Sequence, residues 1–178
     1  MRIYLIRHGE TSWNTLGRLQ GRTDIELNEN GIRLAKITGE KLKDVHFDLA
    51  IASPLKRAYE TAGLVLGDRN IPILTDERIE EISFGKWEGL CCRRENYQIP
   101  SKDFEQFFTD PDYRNKTILI AAHGCSTRAF LYYIDGRKGD FWRGHVPPNC
   151  AVTIIDVKDG KATIEEQDKV YYNPEDVV

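Results

Sequence analysis

Four nitrogen-bearing side chains stand where chemistry would need them and where stability alone would not. Arg7-His8 follows the apolar run Ile3-Tyr4-Leu5-Ile6, Ser53 with Arg57 one turn later follows Leu49-Ala50-Ile51-Ala52, and His123-Gly124 follows residues 117–122. Each run has the length and apolar content of a strand buried on both faces. In open α/β sheets ligands bind beyond the carboxyl ends of the strands, so these remote residues are expected to share one crevice. Taken singly each has a bland reading, a satisfied structural histidine or a surface ion-pair partner. Together they do not. A cation in the first turn of a helix, as Arg57 would be, is disfavoured by roughly 0.3–1 kcal/mol, and crowding cations adds repulsion. A dianionic phosphoryl group reverses both penalties, because guanidinium forks match its oxygens and helix N-termini aim N–H donors at it.

The elements that must position these groups are readable in outline. Residues 2–7 read as a strand, followed by a long polar loop to about Leu27 of the kind that carries function. From Asn28, an N-cap, an apolar stripe through Ile32, Leu34, Ala35, Ile37, Leu42 and Val45 predicts a helix ending near Asp44. Residues 49–52 form a short strand, and Ser53-Pro54 then reads as N-cap and first residue of a helix that runs to Gly67. Residues 71–74 are a further short strand, and 76–89 an irregular, glycine-broken crossing. Periodicity is weakest over 91–116, where only 102–108 looks helical before Asp110-Pro111-Asp112 breaks it. Beyond the strand at 117–122 lie a helix from about Ser126 to Ile134 and two strands, 152–157 and 162–166, around the hairpin signal Asp159-Gly160. Strand and helix alternate. The expected architecture is α/β: a three-layer α/β/α sandwich with a mostly parallel central sheet and a C-terminal edge hairpin, in one domain over 1–178.

Composition narrows the partners. With 25 basic and 28 acidic residues among 178, a net charge of −3 offers no global footprint for nucleic acid or an anionic membrane. The apolar run near the start is too short for a secretory signal, and no segment could span a bilayer. Cys91, Cys92, Cys125 and Cys150 show no C-x-x-C spacing, so free thiols in the cytoplasm are expected, without a zinc site and with little to support a thiol redox role. No dense carboxylate cluster suggests another metal, and no cofactor is called for.

Leu5-Ile6-Arg7-His8-Gly9-Glu10-Thr11 resembles the R-H-G signature of the histidine phosphatase superfamily, in its phosphoglycerate mutase-like branch. Four further blocks match in order: Trp13-Asn14 with Gly17-Arg18-Leu19-Gln20-Gly21 and Asp24; Ser53-Pro54-Leu55-Lys56-Arg57-Ala58 with Thr61-Ala62; residues 81–89; and Ala122-His123-Gly124 with Arg128. Blocks in this order are far more specific than R-H-G alone. The resemblance implies that His8 is the nucleophile, that Arg7, Arg57 and His123 clamp the phosphoryl oxygens, and that Glu81 is the proton donor, with neighbouring Glu80 a decoy. It further implies that Asn14 contacts phosphate and that Thr11, Gln20, Gly21 and Gly124 line the pocket.

The implied activity is metal-independent hydrolysis of a small phosphorylated metabolite through a phosphohistidine. Mutase-type transfer and a non-catalytic phosphate-binding module are the alternatives. The sequence departs from the family over 90–116, where the usual insertion is shortened and only Arg93-Arg94 could hold a second acidic group, which favours hydrolysis. The shortening also predicts an uncovered sheet face, or an aromatic patch around Phe104 and Phe108, available to a second copy of the chain.

Overall fold

The computed structural model describes residues 1–91, 105–136 and 146–173. In chain order its main elements are β1 (Arg2–Arg7), α1 (Ser12–Thr15), α2 (Glu29–Lys41), β2 (Leu49–Ala52), α3 (Lys56–Leu66), β3 (Ile73–Thr75), α4 (Glu105–Thr109), β4 (Thr117–Ala122), α5 (Gly124–Ile134), β5 (Val152–Lys158) and β6 (Lys161–Lys169). Side chains along a strand point alternately to opposite faces, so an uninterrupted apolar strand builds two cores at once. Ile3 and Leu5 of β1, Leu49 and Ile51 of β2, and Ile118 and Ile120 of β4 face one cluster. Tyr4, Ile6, Ala50, Ala52, Leu119 and Ala121 face the other.

The strands form a single sheet in the order β3-β2-β4-β1-β5-β6. β3, β2, β4 and β1 run parallel, and the β5-β6 hairpin joins β1 antiparallel. Helices α2 and α3 cover one face through Leu34, Ala35, Ala62, Val65 and Leu66. Their crossing requires a glycine, since a Cβ on Gly39 would lie 2.7 Å from the Val65 carbonyl oxygen. α5 and α4 cover the opposite face, which completes the three layers.

Two expectations are corrected. The segment before β4 does not leave the sheet bare: Phe107 is fully buried and Phe108 nearly so, with ring centroids 6.1 and 5.4 Å from Phe130. Bulky rings let one short helix, together with α5, fill the volume of a longer element. Phe108 is therefore not part of an exposed patch that a second copy could bind; Phe104 and the Arg93-Arg94 pair lie outside the described residues. The second correction concerns α3, which begins at Lys56 rather than Pro54. The Ser53 hydroxyl accepts the Leu55 N–H at 3.3 Å, ahead of the helix, and it is Asp24 Oδ1 that accepts the Lys56 N–H, at 2.8 Å. Smaller shifts put the third strand at 73–75 and start α5 at Gly124, whereas Asn28 does cap α2, accepting the Gly31 N–H at 2.7 Å. Among the described residues no helix is long and apolar enough to cross a membrane.

Register is what positions the site. Arg7 pairs with Ala122, and Ala52 with Ala121, so β2, β4 and β1 end level with one another. The next residues are Ser53, His123 and His8.

Candidate active site

His8 is 3% exposed, and its backbone N–H donates to the Ala122 carbonyl at 2.9 Å. Its Nδ1 lies 2.7 Å from the Gly9 carbonyl oxygen. A carbonyl can only accept, so Nδ1 carries the proton and Nε2 keeps its lone pair. The Gly9 peptide is itself held. Its N–H donates to Thr61 Oγ1 at 2.9 Å, the Thr61 hydroxyl donates to the Arg57 carbonyl at 2.6 Å, and a Cβ on Gly9 would approach the Gly31 carbonyl oxygen to 2.8 Å. Burial, reinforced by the guanidinium groups of Arg7 and Arg57, pushes the His8 imidazole well below its ordinary value, against a smaller pull from the Gly9 carbonyl. At neutral pH the ring is uncharged.

Arg57 is fully buried, with Nη1 donating to the Thr23 carbonyl at 2.9 Å and Nη2 to that of Gly21 at 2.7 Å. Burial draws its pKa down to about 10, opposed by Glu81 and Asp24, so it stays charged at neutral pH. Arg7 Nη1 donates to the Pro147 carbonyl. Burial lowers this group as well, and Glu81 opposes it. Both Nε atoms are buried without an acceptor among the described residues. Unmatched charged donors of this kind are costly unless an anion completes them.

His123 lies on the next strand end, its ring centroid 5.2 Å from that of His8, with Nε2 2.7 Å from Ser53 Oγ. Glu81 is buried at the N-terminus of α5: Oε1 accepts the N–H groups of Ile82 and Ser126 at 3.0 and 3.1 Å, and Oε2 that of Cys125 at 3.0 Å. Gly124 lies beside both groups: a Cβ there would stand 3.8 Å from Arg7 Nε and from Glu81 Oε2, and 3.2 Å from Val146 Cγ1. Glu80 pairs instead with Arg22 at 3.3 Å. Of the two neighbours it is Glu81 that reaches the strand ends.

The loop residues divide into two layers. Asn14 Oδ1 accepts from the Thr11 N–H and hydroxyl, both at 3.1 Å, and from Asn149 Nδ2 at 3.4 Å, which leaves the Asn14 Nδ2 donors without a partner among the described residues. Thr11 is buried behind it as the N-cap of α1. Gln20 is 8% exposed with its Oε1 unpartnered among the described residues, and Gly21 takes a left-handed φ of 54°.

The sequence places Ser53 at a strand end and Thr61 and Glu88 in the matching blocks without giving them a role in the site, and it marks neither Pro147 nor Asn149. Asn149 Nδ2 donates to the His8 carbonyl at 3.0 Å, and no periodicity marks its segment. Among the described residues no three His, Cys, Asp or Glu side chains gather to hold a metal ion.

The family profile described as histidine phosphatase superfamily (branch 1) matches residues 3–114 and 109–169. The chain belongs to this superfamily. This histidine phosphatase superfamily member is 35% identical over 149 residues to the Bacillus subtilis protein named uncharacterized phosphatase PhoE, covering 75% of this chain and 77% of that one. To the phosphoglycerate mutase of Schizosaccharomyces pombe it is 32% identical over 171 residues, 78% of this chain and 81% of the relative. Among solved structures, YhfR of Bacillus stearothermophilus superimposes with a TM-score of 0.83 at 29% identity, covering 95% of this chain and 97% of that one.

Proposed function

We propose that the protein hydrolyses phosphate monoesters of small metabolites, with His8 as the nucleophile. The observation that carries this reading is a neutral, Nδ1-protonated His8 set beside two arginines whose Nε donors lack an acceptor among the described residues. His8 Nε2 attacks phosphorus, an N–P bond forms and the ester P–O bond breaks. Arg7, Arg57, His123 and the Asn14 amide hold the equatorial oxygens, where the charge of a loose transition state spreads. Glu81, carrying a proton, gives it to the departing alkoxide. Water then attacks phosphorus, its proton passes to the Glu81 carboxylate, the N–P bond breaks and inorganic phosphate leaves. No step uses a metal ion.

Turnover of p-nitrophenyl phosphate tests this directly: the wild type releases nitrophenol, and His8→Ala does not. Equal rates for the two proteins would remove His8 as nucleophile. The likeness to a phosphoglycerate mutase supports a second reading, transfer of the phosphoryl group to another hydroxyl of the substrate. Exchange of labelled phosphate between bisphosphoglycerate and monophosphoglycerate, without net phosphate release, would favour it.

A further inference from the structure

Glu88 stands seven positions after Glu81 on the same loop, outside the set of groups that would touch substrate, yet its carboxylate is the meeting point of two loops. Oε1 accepts the N–H of Arg22 at 3.1 Å and of Phe84 at 3.0 Å, and lies 3.4 Å from the Ser83 hydroxyl. Oε2 accepts the N–H of Thr23 at 3.0 Å and, in a short bond, the Thr23 hydroxyl. The fit is close: a Cβ on Gly21, whose φ is 54°, would come within 2.2 Å of Oε1, so a side chain at 21 would push the carboxylate from its place. Burial alone would raise the Glu88 carboxyl, but the bonds from the Thr23 hydroxyl and the backbone of Arg22, Phe84 and Thr23 hold it below the usual carboxylate range.

What this carboxylate grips is the stretch that holds Arg57. The carbonyls of Gly21 and Thr23 are the two acceptors of the Arg57 guanidinium, and Glu88 also contributes attraction at that charge. N–H groups of the 21–23 loop therefore point to Glu88, and carbonyls of the same loop point to Arg57. Arg22 adds a second tie, its Nε reaching the Glu81 carbonyl at 3.4 Å. We infer that Glu88 is a positioning residue: by pinning the 21–23 loop to the loop that carries Glu81, it sets the Arg57 guanidinium for the phosphoryl group. The inference rests on the proposed phosphoryl site. It adds that the arginine clamp and the acid are held in one frame, so disturbing Glu88 weakens the grip on phosphate through Arg57.

A double-mutant cycle tests it. Wild type, Glu88→Gln, Arg57→Ala and the double variant are compared for kcat/KM on p-nitrophenyl phosphate and for Kd of inorganic phosphate by calorimetry, with circular dichroism as the check on folding. Glutamine keeps the size of the side chain but turns a donor toward backbone N–H groups. In the wild-type background Glu88→Gln is expected to lower kcat/KM and weaken phosphate binding by about ten- to a hundredfold, the scale of a misplaced catalytic contact. With Arg57 already removed, the same substitution is expected to change either quantity by less than about twofold, because its route of action is gone. Equal factors in both backgrounds, or a Glu88→Gln enzyme within about twofold of wild type, would overturn the inference. Should Glu88→Gln fail to fold, Thr23→Val removes one donor while keeping the carboxylate; a smaller loss with the same dependence on Arg57 supports the inference, and an additive loss overturns it. A wild type that binds phosphate but hydrolyses nothing would defeat the hydrolase reading alone, leaving the calorimetric cycle to decide the role of Glu88.

Discussion

Which nitrogen of His8 is left bare is set by a carbonyl one residue away, and the two flanking arginines keep that nitrogen unprotonated only in second place to burial. Glu81 shows a similar dependence on the main chain, since its three hydrogen-bond partners are backbone N–H groups. An acid so placed matters in proportion to how badly the leaving group needs a proton. Glu81→Gln is accordingly expected to slow hydrolysis of an alkyl phosphate ester by about 10²–10⁴-fold, the usual range for losing a positioned acid, and nitrophenyl phosphate far less. Steady-state kcat on both substrates checks this, and equal slowing would take Glu81 out of the acid role. Arg7, His8, Arg57 and His123 were legible in the sequence because they sit at the ends of apolar runs, and Glu81 because it lies in a recognisable block. The roles of Ser53 and Thr61 were not. Ser53 Oγ reaches His123 and Thr61 Oγ1 accepts from Gly9, both far along the chain, and a serine before proline has an adequate local reading as the cap of α3, which here is not the one adopted.

Among the elements, α3 has the most to carry, since Arg57 is its second residue and Thr61 lies one turn further on. Its first N–H is satisfied by Asp24, from the loop that also wraps the Arg57 guanidinium. Asp24→Ala should cost about 1 kcal/mol of stability, as loss of an N-cap does. It should also raise KM for phosphate esters, because the unsecured turn is the one bearing the clamp. Urea unfolding beside steady-state kinetics reads both, and an unchanged midpoint with unchanged KM would exclude the capping role. At the far end of the helix Arg69 donates to the carbonyls of Val65 and Leu66 of α3 and to those of Leu42 and Val45 beyond α2, closing two helix ends with one side chain. The long strands and α2 were legible from periodicity and the Asn28 cap. How the stretch before β4 covers the sheet is not legible in the same way, because Phe107 and Phe108 contribute volume, which a pattern of spacing does not record.

For the molecule as a whole, burying a neutral histidine ties stability to pH. The ordinary His value is 6.5, and in the folded protein His8 lies well below it. As pH falls through 6.5 the unfolded chain takes up a proton that folded His8 refuses, so the unfolded state binds more protons and stability declines. The contribution is fully present above the unfolded value and is lost towards the lower folded one, with a slope of up to about 1.4 kcal/mol per pH unit from this one group. Urea unfolding at about pH 7.5, 6.5 and 5.5 should show that decline, and His8→Ala should flatten it; an identical slope in the variant would refute the assignment. The pairing of Arg7 with Ala122 has a consequence of another kind. The two imidazoles ride on neighbouring strands drawn from distant stretches of polypeptide, so a nascent chain must emerge past β4 before its first histidine gains a counterpart. Juxtaposition of the two rings thus waits on completed long-range strand pairing.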